Sequence, residues 1–234
     1  HSTESPKEID NWVAAIEMAD SLGLDIVSTS LGYTTFDDES FNFAYADMDG
    51  RSSRGAQAAI IAARKGMLLI VAVGNDGNKA WHYLSTPADA DSILTVGAVD
   101  IDRAIANFSS FGPSADGRIK PEICAVGKQT ILLNPSNDEI MKGNGTSFAC
   151  PLVAGMAACL WSALPHVSNM EIRERIIRSS DRYSTPHEQY GYGIPDAWQA
   201  YTSIYSEAKN IQINSERACK QIIDGQLRIL YQGK

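Results

Sequence analysis

Met67-Leu68-Leu69-Ile70-Val71-Ala72-Val73 is a run of seven apolar residues with no polar interruption, closed by Gly74-Asn75-Asp76-Gly77. A strand with one wet face alternates apolar and polar residues, so a run without alternation is covered on both faces. Upstream of it, Leu24 to Leu31 is a short β-rich run and Ser53 to Lys65 reads as a helix; downstream, further strands fall near Ile93 to Val99 and Ile119 to Ala125. Buried strands interleaved with helices predict an α/β fold, a parallel β-sheet with helices on both faces in three layers.

The chain opens with Ser5-Pro6-Lys7-Glu8, the pattern of an N-cap serine, a proline at the first helical position and a glutamate three residues after the cap. Ile9, Trp12, Val13, Ile16 and Ala19 then recur at helical spacing as far as Gly23. Thr130 to Leu133 and Glu139 to Lys142 read as a hairpin-like pair. Ser147 to Leu164 is apolar nearly all round, which predicts a central, fully packed helix. Ser168 with Glu171 starts another helix, running to about Ser179, and Pro195 opens a last one through Tyr201. From Ser206 the composition turns polar, and Asp224-Gly225 between apolar runs signals a tight hairpin turn. The expected division is a domain over 1–205, with 206–234 a linker and the start of a truncated β-type segment.

Composition narrows the function. Twenty Lys and Arg against 28 Asp and Glu give a net charge of −8, which disfavours nucleic acid as a partner. Ser147 to Pro165 is marginal in length for a bilayer and is interrupted by Pro151 and Gly155, so no membrane span is expected. No export signal is visible at the start of the chain. The cysteines at 124, 150, 159 and 219 lack metal-ligand spacing. Cys150 and Cys159 fall on opposite faces of one helix, too far apart to bridge, and read as small buried residues; Cys219 lies in the tail, where exposure is open to it. Asp47-Met48-Asp49-Gly50 begins like a calcium loop, but Arg51 follows and no glutamate stands at the twelfth position, so it reads as a solvated turn.

The chemistry is carried by Asn144-Gly145-Thr146-Ser147-Phe148-Ala149-Cys150-Pro151, at the head of the apolar helix. A serine there feels the positive end of the helix dipole, which favours negative charge developing beside its oxygen and its own N–H. Asn75, flanked by glycine at a strand end, suits a neutral N–H donor aimed at an oxyanion. A plain serine N-cap and a plain Asn-Gly turn explain either motif taken alone. Together, in this order, they resemble the subtilisin-like serine proteases, the subtilases. Thr86-Pro87-Ala88, Phe108 to Pro113, Lys120-Pro121-Glu122 and Gly191-Tyr192-Gly193 add to the likeness, which spans roughly residues 8 to 203.

The resemblance implies Ser147 as nucleophile and Asn75 as oxyanion donor. It also implies a substrate cleft formed by Ser30-Leu31-Gly32, Ala72-Val73-Gly74 and Asn144-Gly145-Thr146, in which a polypeptide lies as an added strand. Subtilases place an Asp-Ser/Thr-Gly and a His-Gly motif upstream of the serine, and neither occurs among these residues; His1, His82, His166 and His187 are not followed by glycine. The expectation is a serine endopeptidase region with the N-terminal strands of the fold missing, inactive by itself and self-associating through the surface those strands cover. A peptide-binding pseudoprotease is the alternative. A serine-carboxyl peptidase, with aspartate at the oxyanion position, is opposed by Asn75. No cofactor is required; calcium in a complete enzyme, and a secreted or cell-surface location, follow from the resemblance alone.

Overall fold

The computed structural model describes residues 4–134 and 136–202, together with the backbone of 218–223 and 226–231. Strands β1 (Ile26–Thr29), β2 (Leu68–Ala72), β3 (Leu94–Val99) and β4 (Ile123–Val126) form one parallel sheet in the order β1-β2-β3-β4. Helices α1 (Lys7–Ser21) and α2 (Arg54–Arg64) cover one face; α3 (Thr146–Ala163) and α4 (Asn169–Arg178) cover the other. The non-alternating run in β2 has its reason here. Leu68, Ile70 and Ala72 pack with Val153, Ala157, Leu160, Ile172 and Ile176, while Leu69 and Val71 pack with Trp12, Ile16, Ala56 and Ala59. Each such large aliphatic side chain, fully buried, contributes about 1.5–3 kcal/mol.

Local signals place most boundaries. Ser53 Oγ caps α2 by accepting from Gly55 N at 3.0 Å, and Ser168 Oγ caps α4 by accepting from Glu171 N at 3.2 Å. Two expectations change. Helix α1 has no side-chain cap: Pro6 already holds helical dihedrals, and the Ser5 carbonyl closes the first turn by accepting from Glu8 N at 3.0 Å. The last helix begins at 197 rather than at Pro195, because Asp196 Oδ1 accepts from Gln199 N at 2.8 Å and so sets its start. Strand β4 likewise starts at Ile123, later than the apolar run suggested; Pro121 has no N–H for a ladder, and the Lys120 carbonyl is taken by Gly112 N at 2.7 Å.

Helix α3 departs most from its expectation. Ala149, Cys150, Val153, Ala157 and Leu160 face the sheet, and the helix packs across all four strands. The opposite side is open: Leu152 is 51% exposed, and Gly155 and Cys159 are exposed as well. Its all-round apolar character therefore reports two faces, of which the described residues cover one. Strand β1 stands at the edge of the sheet beside it. Before α3, β5 (Thr130–Leu133) and β6 (Ile140–Gly143) form the expected antiparallel hairpin. β7 (Ala218–Ile223) pairs antiparallel with β8 (Gln226–Tyr231); the turn at Asp224-Gly225 and the boundary near 205 lie outside the described residues.

Candidate active site

The adjacent parallel strands β1 and β2 end side by side, and α3 begins against them. Carboxyl ends of parallel strands are where such sheets bind ligands. A cleft of about 330 Å³ opens there, lined by Ser30, Leu31, Gly32, Thr34, Ala72, Gly74, Asn75, Asp76, Ser85, Thr146 and Ser147.

Ser147 is the second residue of α3, whose N-cap is Gly145, so its hydroxyl caps nothing. Its Oγ contacts the Ser30 carbonyl at 3.5 Å, and its own N–H lies in the first turn, where amides have no partner within the helix. Pro151 is the sixth helical residue, beyond the first turn where a missing N–H costs nothing. Lacking an N–H, it cannot bond the Ser147 carbonyl four residues back. Ser30 Oγ donates to that carbonyl at 3.0 Å instead. The serine of one strand end thereby ties down the residue that carries the cleft's other hydroxyl.

Asn75 is oriented by chemistry. Thr146 N–H, which can only donate, meets Asn75 Oδ1 at 2.9 Å, and Thr146 Oγ1 meets the same oxygen at 3.1 Å. The amide oxygen must therefore face Thr146, and among the described residues nothing accepts from Nδ2. Thr146 Oγ1 also contacts the Gly74 carbonyl at 3.3 Å, so the N–H and hydroxyl of Thr146 position the strand end.

Three other expected cleft residues stand back from it. Val73 is buried, its N–H on the Val96 carbonyl at 3.0 Å and its carbonyl accepting from Ser85 N at 3.2 Å. Gly145 is buried with its N–H on the Gly127 carbonyl at 2.8 Å, and Asn144 accepts from Gln129 N at 2.8 Å. Asn144 is itself exposed, and none of the three is in the cleft's lining. Gly32 is needed for a reason other than substrate access: a Cβ there would sit 2.0 Å from Ser85 Oγ. Ser85, Asp76 and Thr34, which pattern reading missed, line the cleft through loops that approach it only in three dimensions.

None of the described histidines lines the cleft; His82 lies against Tyr83 and Phe111, with ring centroids 4.1 and 5.2 Å away. Asp47 and Asp49 give their carboxylates to local backbone: Asp47 Oδ2 accepts from Ala44 N at 2.8 Å, and Asp49 Oδ1 from Arg51 N at 2.7 Å and Ser52 N at 2.8 Å.

A second polar cluster lies away from the cleft, where Lys120-Pro121-Glu122 turns inward. Glu122 Oε1 pairs with Lys120 Nζ at 2.8 Å and with Arg173 Nη2 at 2.9 Å, and Oε2 accepts from Thr95 N at 2.7 Å. Lys120 Nζ also donates to the Ala90 carbonyl at 2.8 Å and to Thr95 Oγ1 at 3.0 Å. Burial opposes the Glu122 charge, but Lys120 and Arg173 beside it hold its carboxyl below the usual carboxylate range.

Residues 3–193 match the model of the subtilase family. The chain belongs to that family. It is similar to subtilisin DY of Bacillus licheniformis, 34% identical over 185 residues, which covers 78% of this chain and 58% of that protein. It is also similar to the halolysin-like extracellular serine protease Nep of Natrialba magadii, 33% identical over 138 residues, covering 59% of this chain and 24% of that one. Among solved structures, the self-cleaved protease domain of PatA superposes with a TM-score of 0.65 at 24% identity, over 83% of this chain and 67% of that one, a likeness of fold. The chain spans 58% of subtilisin DY, and so is shorter than the relative it resembles.

Proposed function

We propose that this chain is the serine-bearing region of a serine endopeptidase. The observation that carries the reading is the forced orientation of Asn75, whose Oδ1 is held by Thr146 N–H while Nδ2 stays unspent in the cleft that contains Ser147. In the reaction, Ser147 Oγ attacks the carbonyl carbon of a polypeptide lying between 30–32 and 72–74, and a base takes its proton. The carbonyl oxygen gains negative charge and is met by Asn75 Nδ2 and the Ser147 N–H, which the start of α3 reinforces. Collapse of the tetrahedral adduct expels the amine and leaves an acyl ester on Ser147, which water hydrolyses. The scheme calls on no cofactor.

The base and its orienting acid belong, on this reading, to another part of the same protein, packed on the open β1 edge and the open side of α3. Without them Ser147 is a neutral hydroxyl and a weak nucleophile. Secretion is proposed from likeness to extracellular relatives. The test is turnover of a fluorogenic peptide by the full-length protein. Ser147→Ala should lower kcat about a millionfold, the magnitude that subtilisin itself supplies, with little loss of stability because Ser147 caps nothing. Retained turnover would show that Ser147 is structural.

The described region by itself is proposed to pair into a twofold dimer, since it presents an unpaired strand edge and exposed Leu31 and Leu152. Sedimentation at micromolar concentration should show the dimer; a monomer at all concentrations would remove this proposal.

A further inference from the structure

Asn75 sits between two planar peptide units. The one before it carries the Gly74 carbonyl, and the one after it carries the Asp76 N–H. A single residue holds both. Ser110 N donates to the Gly74 carbonyl at 3.0 Å, and Ser110 Oγ accepts from Asp76 N at 2.9 Å. Fixing the planes on either side of an α-carbon fixes its φ and ψ, and with them the direction in which the Asn75 side chain leaves the backbone. Ser110 itself is fully buried and is no part of the cleft's lining, so it meets no substrate.

This bracket is mounted on the sheet. Ala98 N of β3 donates to Ser109 Oγ at 3.0 Å, and the Phe108 carbonyl accepts from Gly77 N at 2.9 Å, so 108–110 runs as a bed beneath 74–77. The fit is close enough to dictate composition. A Cβ on Gly74 would stand 2.9 Å from Ser110 Oγ, and one on Gly77 would stand 2.1 Å from the Ser109 carbonyl oxygen. Gly74 also holds a φ of +118°, which glycine adopts without strain. Thr146 ties the tip of the Asn75 side chain to α3, and Ser110 ties its root to β3.

Resting on the oxyanion reading above, we propose that Ser110 is a positioning residue for the reaction, acting through Asn75: its hydroxyl and N–H set the place of Nδ2 relative to the Ser147 N–H. The two donors belong to different elements, a strand end and a helix start, and both must reach one oxygen as it becomes charged. A misplacement of about 1 Å costs up to roughly 100-fold in rate. Removing the hydroxyl frees the plane after Asn75 while the Ser110 N–H still holds the plane before it. The residue can then turn about its N–Cα bond and carry the side chain with it. Ser110 gives no group to the substrate, and the bonds made and broken are unchanged.

The experiment is a double-mutant cycle on the full-length protein, read by turnover of a fluorogenic peptide and by a urea melt of each variant. Ser110→Ala should lower kcat about 10- to 100-fold with KM within about twofold of the parent, because the donors act mainly in the transition state. On an Asn75→Ala background the same substitution should lower kcat less than about twofold further, since the group it positions is gone. A buried serine that serves stability alone would shift the melt and leave the kcat of the folded fraction unchanged. That outcome overturns the proposal. So does a loss in kcat that is undiminished on the Asn75→Ala background, or one that appears as a rise in KM. In each of these cases Asn75→Ala itself remains slow, and the oxyanion reading stands. Normal kcat in Asn75→Ala, or no turnover by the parent protein, removes that reading and this proposal together. If Ser110→Ala does not fold, Ser110→Cys keeps the volume with a weaker acceptor and is read in the same way.

Discussion

At Glu122 a carboxylate and two cations are buried together and spend their hydrogen bonds inside the fold, on Thr95, Ala90, Ile93 and one another. At Ser147 the polar groups are held just as firmly by their neighbours, but each keeps one end free: Asn75 gives Oδ1 to Thr146 and keeps Nδ2, and Ser147 gives its carbonyl to Ser30 and keeps Oγ at a long 3.5 Å. Both clusters are spelled by short polar motifs, so residue type does not separate them. What separates them is where the hydrogen-bonding capacity goes. Groups satisfied within the fold stabilise it, and groups held in place but left unspent beside a cleft are available to a reaction.

That contrast breaks first at Asn75. If Asn75 is the oxyanion donor proposed above, Asn75→Ala in the full-length protein should lower kcat about 100- to 1000-fold with KM nearly unchanged, the magnitude for an oxyanion-hole asparagine in subtilisin. Stability should move little. Steady-state kinetics beside a urea melt measures both, and a variant with normal kcat would return Asn75 to being a turn residue.

Glu122→Gln should do the reverse. It leaves Lys120 and Arg173 without their carboxylate and should cost about 3–5 kcal/mol of unfolding free energy, with the kcat of the folded fraction unchanged. The parent protein should also lose stability in acid. A carboxyl held below its unfolded value stabilises above that value, near pH 4, and its contribution fades as pH falls through the folded one. The variant should lack this step. Urea titrations from neutral pH into acid check the point, and equal acid sensitivity in both would remove Glu122 from this role.

Much of this was legible in the residues. Met67 to Val73 announced a doubly covered strand because burial on two faces leaves a one-dimensional trace. The serine and asparagine motifs, which line one cleft, were legible because helix starts and strand ends are local. Features that depend on distant pairing were not legible. Ser30 compensates for Pro151 across a separation of 117 residues to Ser147, and no spacing rule reports that. Ser85 and Asp76 reach the cleft through loop geometry. Helix α3 was read as fully packed because apolar composition does not say whether both faces are covered. Nor does any spacing rule report that the Val73 N–H and carbonyl are taken by Val96 and Ser85.

The central claim is that Ser147 is a nucleophile awaiting a base, in a cleft already equipped for an oxyanion. Reaction with a serine-directed fluorophosphonate, with the adduct located by peptide mass spectrometry, tests it most directly. The full-length protein should label stoichiometrically on Ser147, and the region described here should resist labelling because nothing in it takes the Oγ proton. Rapid labelling of this region by itself, or an adduct of the full-length protein on any residue other than Ser147, would contradict the account.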